Sequence, residues 1–132
     1  MVNDAEVRKL LENRLLELSP PLPVSFENSD DDGGQNRLET QLFRSGNIRF
    51  GLGHEHNHIG FFQITVVTRV GTGSIPPDRV AVSVQQLYPS GLKLHSAGTT
   101  VKITQTPEIA RGDPGEGSEW RVPVTVYFEA RD

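Results

Sequence analysis

The chain of 132 residues contains no cysteine, one methionine and one tryptophan, and only 7% of its residues are aromatic. Without cysteine the chain forms no disulfides and has no thiolate chemistry, so cysteine usage does not indicate a redox compartment. The sequence has no apolar run long enough to cross a bilayer and no signal-peptide hydrophobic region. We therefore expect a protein that does not contact a membrane and that is made and folded in a cytoplasm.

Basic residues are also scarce. The 13 lysines and arginines are outnumbered by 17 aspartates and glutamates, which gives a formal net charge of −4. A dedicated nucleic-acid-binding domain normally carries a basic stripe, so this balance argues against that class. The length predicts a single domain over residues 1–132, and 13 glycines with 9 prolines indicate much loop.

Residues 59–70 alternate apolar and polar side chains at period two, which predicts a half-buried central strand. One face carries Phe62 and Ile64 and is expected to point into the core. The other face is mixed and is expected to meet water or a partner through Phe61, Gln63 and Arg69.

Residues 120–128 alternate even more regularly and predict a C-terminal strand. Its apolar face begins at Trp120, which is expected to anchor the core. Pro123 cannot donate a ladder hydrogen bond, so we expect this strand to lie at a sheet edge or to contain a bulge.

Two helices are predicted to cover these strands. Residues 4–18 carry a leucine-rich stripe at helical spacing. Residues 77–88 fit both periods, because their valines alternate like a strand while Val80, Val84 and Tyr88 follow helical spacing. Proline at the start and Pro89-Ser90-Gly91 at the end favour a helix. The prediction is an α+β fold, a mostly antiparallel sheet packed by two helices with long loops.

Shorter strands are expected at residues 22–26 and 38–44, and a hairpin at residues 92–95 and 99–106. Residues 45–53 are glycine-punctuated and predict a long connection. Two polar loops, residues 28–36 and 107–119, are candidates for partner contacts. The candidate contact residues in these loops are Asp30, Asp31, Asp32, Arg111 and Asp113.

Residues His54, Glu55 and His58 match the H-E-x-x-H pattern of zinc hydrolases. That chemistry needs a helix, so that both histidines lie one turn apart on one face. Here glycines flank the segment and it runs directly into a strand, where His54, His56 and His58 would share one face instead. These histidines are therefore weak metal candidates. We expect a polar segment entering a strand, with no catalytic residues and no cofactor.

Three groups of residues resemble one known family in their order along the chain. These are Gly60-Phe61-Phe62 at the start of the central strand, Leu87-Tyr88-Pro89-Ser90-Gly91 at a helix end, and Trp120-Arg121-Val122-Pro123-Val124 in the last strand. Between residues 57 and 128 the chain resembles the tail terminator, or tail completion, proteins of long-tailed bacteriophages and a related phage domain family of unknown function.

The resemblance implies a structural virion protein, assembled in the host cytoplasm, rather than an enzyme. Members form a ring, typically of six copies, at the head-proximal end of the tail tube. They end tube polymerisation and present a surface to the head-completion protein, while DNA passes through the lumen without being read. The expected partners are therefore other copies of the chain, the tail tube protein and the head-completion protein.

Two alternatives remain open from the sequence. A head-completion protein, a stopper or adaptor, belongs to the same structural class and differs in its place in the particle. A small zinc-dependent hydrolase would use His54, Glu55 and His58.

Overall fold

In the computed structural model, the segments with period-two spacing form strands and those with helical spacing form helices, in an α+β arrangement. The structure describes residues 4–18, 24–25, 36–49, 56–69, 75–96, 98–114 and 119–131. These ranges contain two helices and eight strands. They are α1 (Asp4–Leu15), β1 (Val24–Ser25), β2 (Arg37–Arg49), β3 (His56–Arg69), α2 (Ile75–Leu87), β4 (Lys93–Ser96), β5 (Thr99–Ile103), β6 (Glu108–Ile109), β7 (Asp113–Pro114) and β8 (Glu119–Arg131). The predicted fold class is confirmed.

All strands belong to one sheet in the order β1-β2-β3-β8-β5-β4, and β6 and β7 also pair with β8. Every pairing is antiparallel except that of β1 with β2. Strand β3 lies between β2 and β8, so the stretch predicted as the central strand is central. It begins at His56, three residues before the expected start.

Both helices pack on the same face of the sheet. The buried residues of α1 include Val7, Leu11 and Leu15, and those of α2 include Ala81 and Val84. Helix α1 contacts β4 and β5, and α2 contacts β3, β6 and β8. The even-numbered side chains of β3 and β8 are buried without exception from residue 62 to 68 and from 122 to 130. The helical reading of residues 77–88 is therefore correct, because the strand alternative would have turned Ala81 away from the core. Helix α1 ends at Leu15, earlier than expected, and Leu18 stays buried beyond it. No helix in the described ranges is long and apolar enough to cross a membrane.

Tyr88 connects the two helices through a hydrogen bond. It is fully buried, and its hydroxyl donates to the Leu11 carbonyl at 2.7 Å. The Arg14 Nε donates in return to the Leu87 carbonyl, also at 2.7 Å. The Tyr88 ring stands edge-on to Phe62 with centroids 6.5 Å apart, and burial raises the pKa of its hydroxyl. The motif at the end of α2 thus joins both helices to the central strand.

The structure corrects two expectations about loops and strand ends. Strand β2 does not stop at residue 44; it passes a bulge between Arg44 and Gly46 and continues to Arg49 against the start of β3. The predicted loop at residues 107–119 contains β6 and β7. These short strands supply hydrogen-bond partners to the part of β8 that β5 does not reach, where backbone groups would otherwise be unpaired.

Pro123 lies in an interior strand, so the predicted edge or bulge is wrong. Its carbonyl accepts a 2.9 Å hydrogen bond from the Ala110 amide on the β6–β7 side. In an antiparallel ladder the nitrogen and carbonyl of one residue point to the same side. The Pro123 nitrogen therefore faces the break between β6 and β7 rather than β3, and the missing donor costs no pairing there.

Candidate interaction surface

The second face of the sheet carries neither helix. This open face is formed by the odd-numbered residues of β2 from Arg37 to Phe43, of β3 from Ile59 to Arg69 and of β8, together with Lys102 of β5 and Glu108 of β6. Because side chains alternate across a strand, their facing is set by the register of the sheet. The mixed second face predicted for the central strand is the middle of this surface.

Three aromatic side chains cross the open face in one row. Phe43, Phe61 and Tyr127 are register partners on β2, β3 and β8. The Phe43 and Phe61 rings stack with centroids 4.7 Å apart, and the Phe61 and Tyr127 centroids are 6.1 Å apart. Phe43 is 39% exposed, and Ile59 beside the row is 37% exposed. The aromatic row is thus a partly exposed apolar strip on the open face, the kind of feature that anchors a protein interface.

The aromatic row ends at a carboxylate. The Tyr127 hydroxyl donates to Glu108 Oε2 at 3.3 Å. Desolvation and the Glu108 carboxylate raise the pKa of this hydroxyl. Lys102 lies on the other side of Tyr127 along β8, opposite Glu129 in the register. Glu108 and Lys102 are both exposed, so the row has one charge of each sign beside its β8 end.

A closed network of ion pairs covers the opposite end of the open face. Its members are Arg37 and Glu39 of β2 and Glu119 and Arg121 of β8. Arg37 contacts Glu119 Oε2 at 2.6 Å and Glu39 Oε2 at 2.6 Å. Arg121 contacts Glu39 Oε1 at 2.9 Å and Glu119 Oε1 at 3.7 Å. The network reaches across β3 and lies over Val67, which explains why this open-face valine is fully buried.

The network makes stability depend on pH. Burial opposes ionisation of Glu39, but hydrogen bonds from Arg121 and Arg37 outweigh it and hold the Glu39 pKa below its ordinary value. A lowered folded-state pKa contributes stability above the unfolded-state pKa of about 4.3, and this contribution is lost as the pH falls through the folded-state value.

We expect Glu39→Gln to lower the free energy of unfolding by about 1 kcal/mol at pH 7 and by progressively less as the pH falls below about 4. Urea unfolding at several pH values measures this difference. Glu17→Gln is the control, because Glu17 is 60% exposed in a surface ion pair with Arg14 and should change stability by only a few tenths of a kcal/mol. A loss at Glu39 that is equal at pH 7 and pH 3 would contradict the network account.

The predicted contact residues are distributed unevenly over the structure. Phe61 is the centre of the aromatic row, and Gln63 occupies the next position between Gln41 and Thr125. Arg69 is exposed at the end of β3, opposite Glu119. Arg111 is exposed between β6 and β7, and the backbone of Asp113 forms β7. Asp30, Asp31 and Asp32 lie outside the described residues, so their role stays a prediction.

The histidine segment has no helical geometry where it is described. His56 and His58 belong to β3, while His54 and Glu55 lie outside the described residues. Within the described ranges no three His, Cys, Asp or Glu side chains form a group that could hold a metal ion. The H-E-x-x-H match therefore lacks the helix that its chemistry requires over residues 56–58.

Gly112, in the Arg-Gly-Asp tripeptide, has a packing role. A Cβ at this position would come within 2.6 Å of the Trp120 indole nitrogen. Trp120 in turn packs against the core, as predicted.

Sequence reasoning missed Phe43, Tyr127 and Glu108 as neighbours of Phe61. Phe43 and Tyr127 each lie in a strand with clear alternation, so the side of the sheet that each one faces can be predicted from the sequence. Which strands flank β3, and in what register, is decided by long-range pairing that period-two spacing does not encode. Glu108 lies in a segment without any alternation.

A family model described as the phage tail terminator protein matches residues 6–128. The chain belongs to this family. Members of the phage tail terminator family are structural proteins of phage tails, so the chain has a structural role in a phage tail. The match extends from α1 almost to the end of β8 and therefore includes the aromatic row and the ion-pair network.

Solved structures agree with this fold. One structure, 23% identical in sequence, superposes with a TM-score of 0.79 and covers 98% of this chain and 96% of its own. A chain from the virion of a native gene transfer agent particle is 12% identical, has a TM-score of 0.66, and covers 96% of this chain and 95% of that one. At these identities the likeness concerns the fold. No curated protein sequence matches the chain.

Proposed function

We propose that the chain forms a closed ring on the head-proximal end of the tail tube, where it ends tube polymerisation and provides the docking surface for the head. The observation that carries the proposal is the tail terminator match over residues 6–128, which includes every described element except the first two residues of α1 and the last three of β8. The gene transfer agent chain of similar fold, which is part of a virion, supports a place in the particle.

The open face supplies a contact surface suited to this role. An assembly protein that recognises tube, head and neighbouring copies needs rigid, exposed apolar anchors rather than a cleft. The aromatic row meets that need, because the sheet and the two helices behind it fix its position. We propose that Phe61, Gln63 and Arg69 contribute to these contacts.

The acidic balance of the chain suits a ring through which DNA passes. With a net charge of −4 the protein has no excess of cations to neutralise phosphates, which supply most non-specific affinity for DNA. We propose that genomic DNA crosses the lumen without sequence-specific binding.

Tail length in a phage that lacks this chain tests the proposal. Loss of a terminator removes the step that stops polymerisation, so we expect tubes longer than normal that are not joined to heads, with normal length restored when the chain is supplied from a plasmid. Electron microscopy of the lysate measures both. Tails of normal length that fail to join heads would indicate a head-completion protein instead, and normal phage would reject both roles.

A further inference from the structure

The described part of the chain has four exposed large hydrophobic residues, divided equally between its two opposite sides. Phe43 and Ile59 lie on the open face, at 39% and 37% exposure. Val82 lies on α2 at 43%, and Leu16 follows α1 at 59%. Val82 points away from the sheet, because its neighbours Ala81 and Val84 fill the buried side of α2. Apolar surface is therefore presented both behind the helices and in front of the sheet.

The outer side of α2 has a shallow, open depression of about 430 Å³ that is lined by Asp78, Arg79, Val82 and Ser83. This α2 depression exposes the apolar side chain of Val82 and has one charge of each sign beside it. The aromatic row on the open face likewise presents apolar side chains beside one charge of each sign.

Charges on the two surfaces also complement each other. Glu108 and Lys102 flank Tyr127 on the open face, and Asp78 and Arg79 flank Val82 in the depression. Within the described part of the chain, these four side chains form no ion pairs with one another. A contact that brings Glu108 to Arg79, or Lys102 to Asp78, joins opposite charges, whereas the reverse assignment joins like charges. Such patterning fixes the register of a contact.

We propose that the α2 depression of one copy of the chain receives the aromatic row of the next copy, with Glu108 paired to Arg79 and Lys102 paired to Asp78. This proposal rests on the proposed ring and names the two surfaces that build it. The contact is head-to-tail, since the two surfaces are different and lie on opposite sides of the molecule. A head-to-tail contact closes into a ring when the rotations from each copy to the next add up to a full turn.

Charge exchange across the proposed contact provides the test. A phage lacking the chain is complemented with plasmid-borne variants, and plaque titre is measured. Arg79→Glu alone and Glu108→Arg alone each place like charges together, so we expect titre to fall about tenfold or more. The double variant R79E/E108R restores opposite charges at every contact and should recover most of the titre. The same pattern is expected for D78K, K102E and the pair D78K/K102E.

Supplying R79E and E108R together from two plasmids gives a further check. In a head-to-tail ring, alternating copies of the two variants match at every contact, so co-expression should also recover titre. Lys9→Glu is the matched control. It reverses the charge of an exposed α1 side chain outside both surfaces and should leave titre unchanged. Thermal unfolding of each purified variant verifies that folding is retained.

Three outcomes would overturn the proposal. They are single reversals without effect, double variants as defective as the single ones, and recovery only in the double variant but not in the co-expressed pair. The second outcome would assign the open face to another partner such as the tail tube protein, whose charges do not change with the variant. The proposed function is judged separately by tail length in the phage without the chain.

Discussion

Val124→Asp is expected to abolish folding of the chain. Val124 is fully buried in β8, between Ile64 of β3 and Ile109 of β6 in the register. An aspartate there would place a carboxylate among aliphatic side chains, far from the ion-pair network on the other face. Burial of an unpaired charge, together with the lost valine packing, is expected to cost more than about 4 kcal/mol, a large part of the stability of a domain of this size.

The matched control introduces an aspartate on the opposite face of the sheet. Gln63→Asp adds a carboxylate to the open face of β3, where the side chain is only half-buried, and should cost about 1 kcal/mol at most. Circular dichroism and the yield of soluble protein distinguish the two variants. If Val124→Asp were soluble and had the same unfolding temperature as the parent protein, the assigned facing of β8 would be wrong.

Gly60→Ala is expected to produce the second-largest loss of stability. Gly60 is buried opposite the β2 bulge, and an added Cβ would collide with the Phe43 carbonyl oxygen and lie 3.2 Å from both Arg44 Cα and Phe128 Cζ. Two of these three atoms belong to backbone, which cannot rotate away. We expect a loss of about 2–3 kcal/mol, seen in urea unfolding, and misplacement of Phe43 within the aromatic row.

Gly91→Ala separates this steric cost from a general effect of replacing glycine. Gly91 has a φ of 89° and no atom within 4 Å of an added Cβ, so the substitution adds only backbone strain of about 1–2 kcal/mol. Gly60→Ala should destabilise the protein more than Gly91→Ala and should also lower complementation of the phage. Equal stability of Gly60→Ala and the parent protein would show that β2 does not approach β3 as closely as described.

The sequence was sufficient to predict the fold class and the facing of the two main strands, because period-two spacing in a half-buried strand leaves little freedom about which side is apolar. It was also sufficient to predict α2, where the punctuation at Pro89-Ser90-Gly91 decided between two periodicities. The same reasoning placed Phe61 and Gln63 on the second face of the central strand, where the structure has them.

The remaining features depend on long-range pairing. Strands β6 and β7 form because β8 extends beyond β5, and nothing in their own polar sequence signals a strand. Pro123 was assigned to an edge or a bulge by a general rule, whereas its nitrogen happens to face a break in the neighbouring strands. Val67 belongs to the mixed face of the central strand, which the sequence predicts to meet water or a partner. It is buried because Arg37 and Arg121 form ion pairs with two glutamates above it.

The place of the chain in the phage particle tests the central claim most directly. Immunogold electron microscopy with an antibody raised against the chain is applied to intact particles and to isolated tails from the same lysate. The account predicts label at the head–tail junction of particles and at one end of isolated tails. Protein that remains soluble in the lysate, with no label on particles or tails, would contradict it.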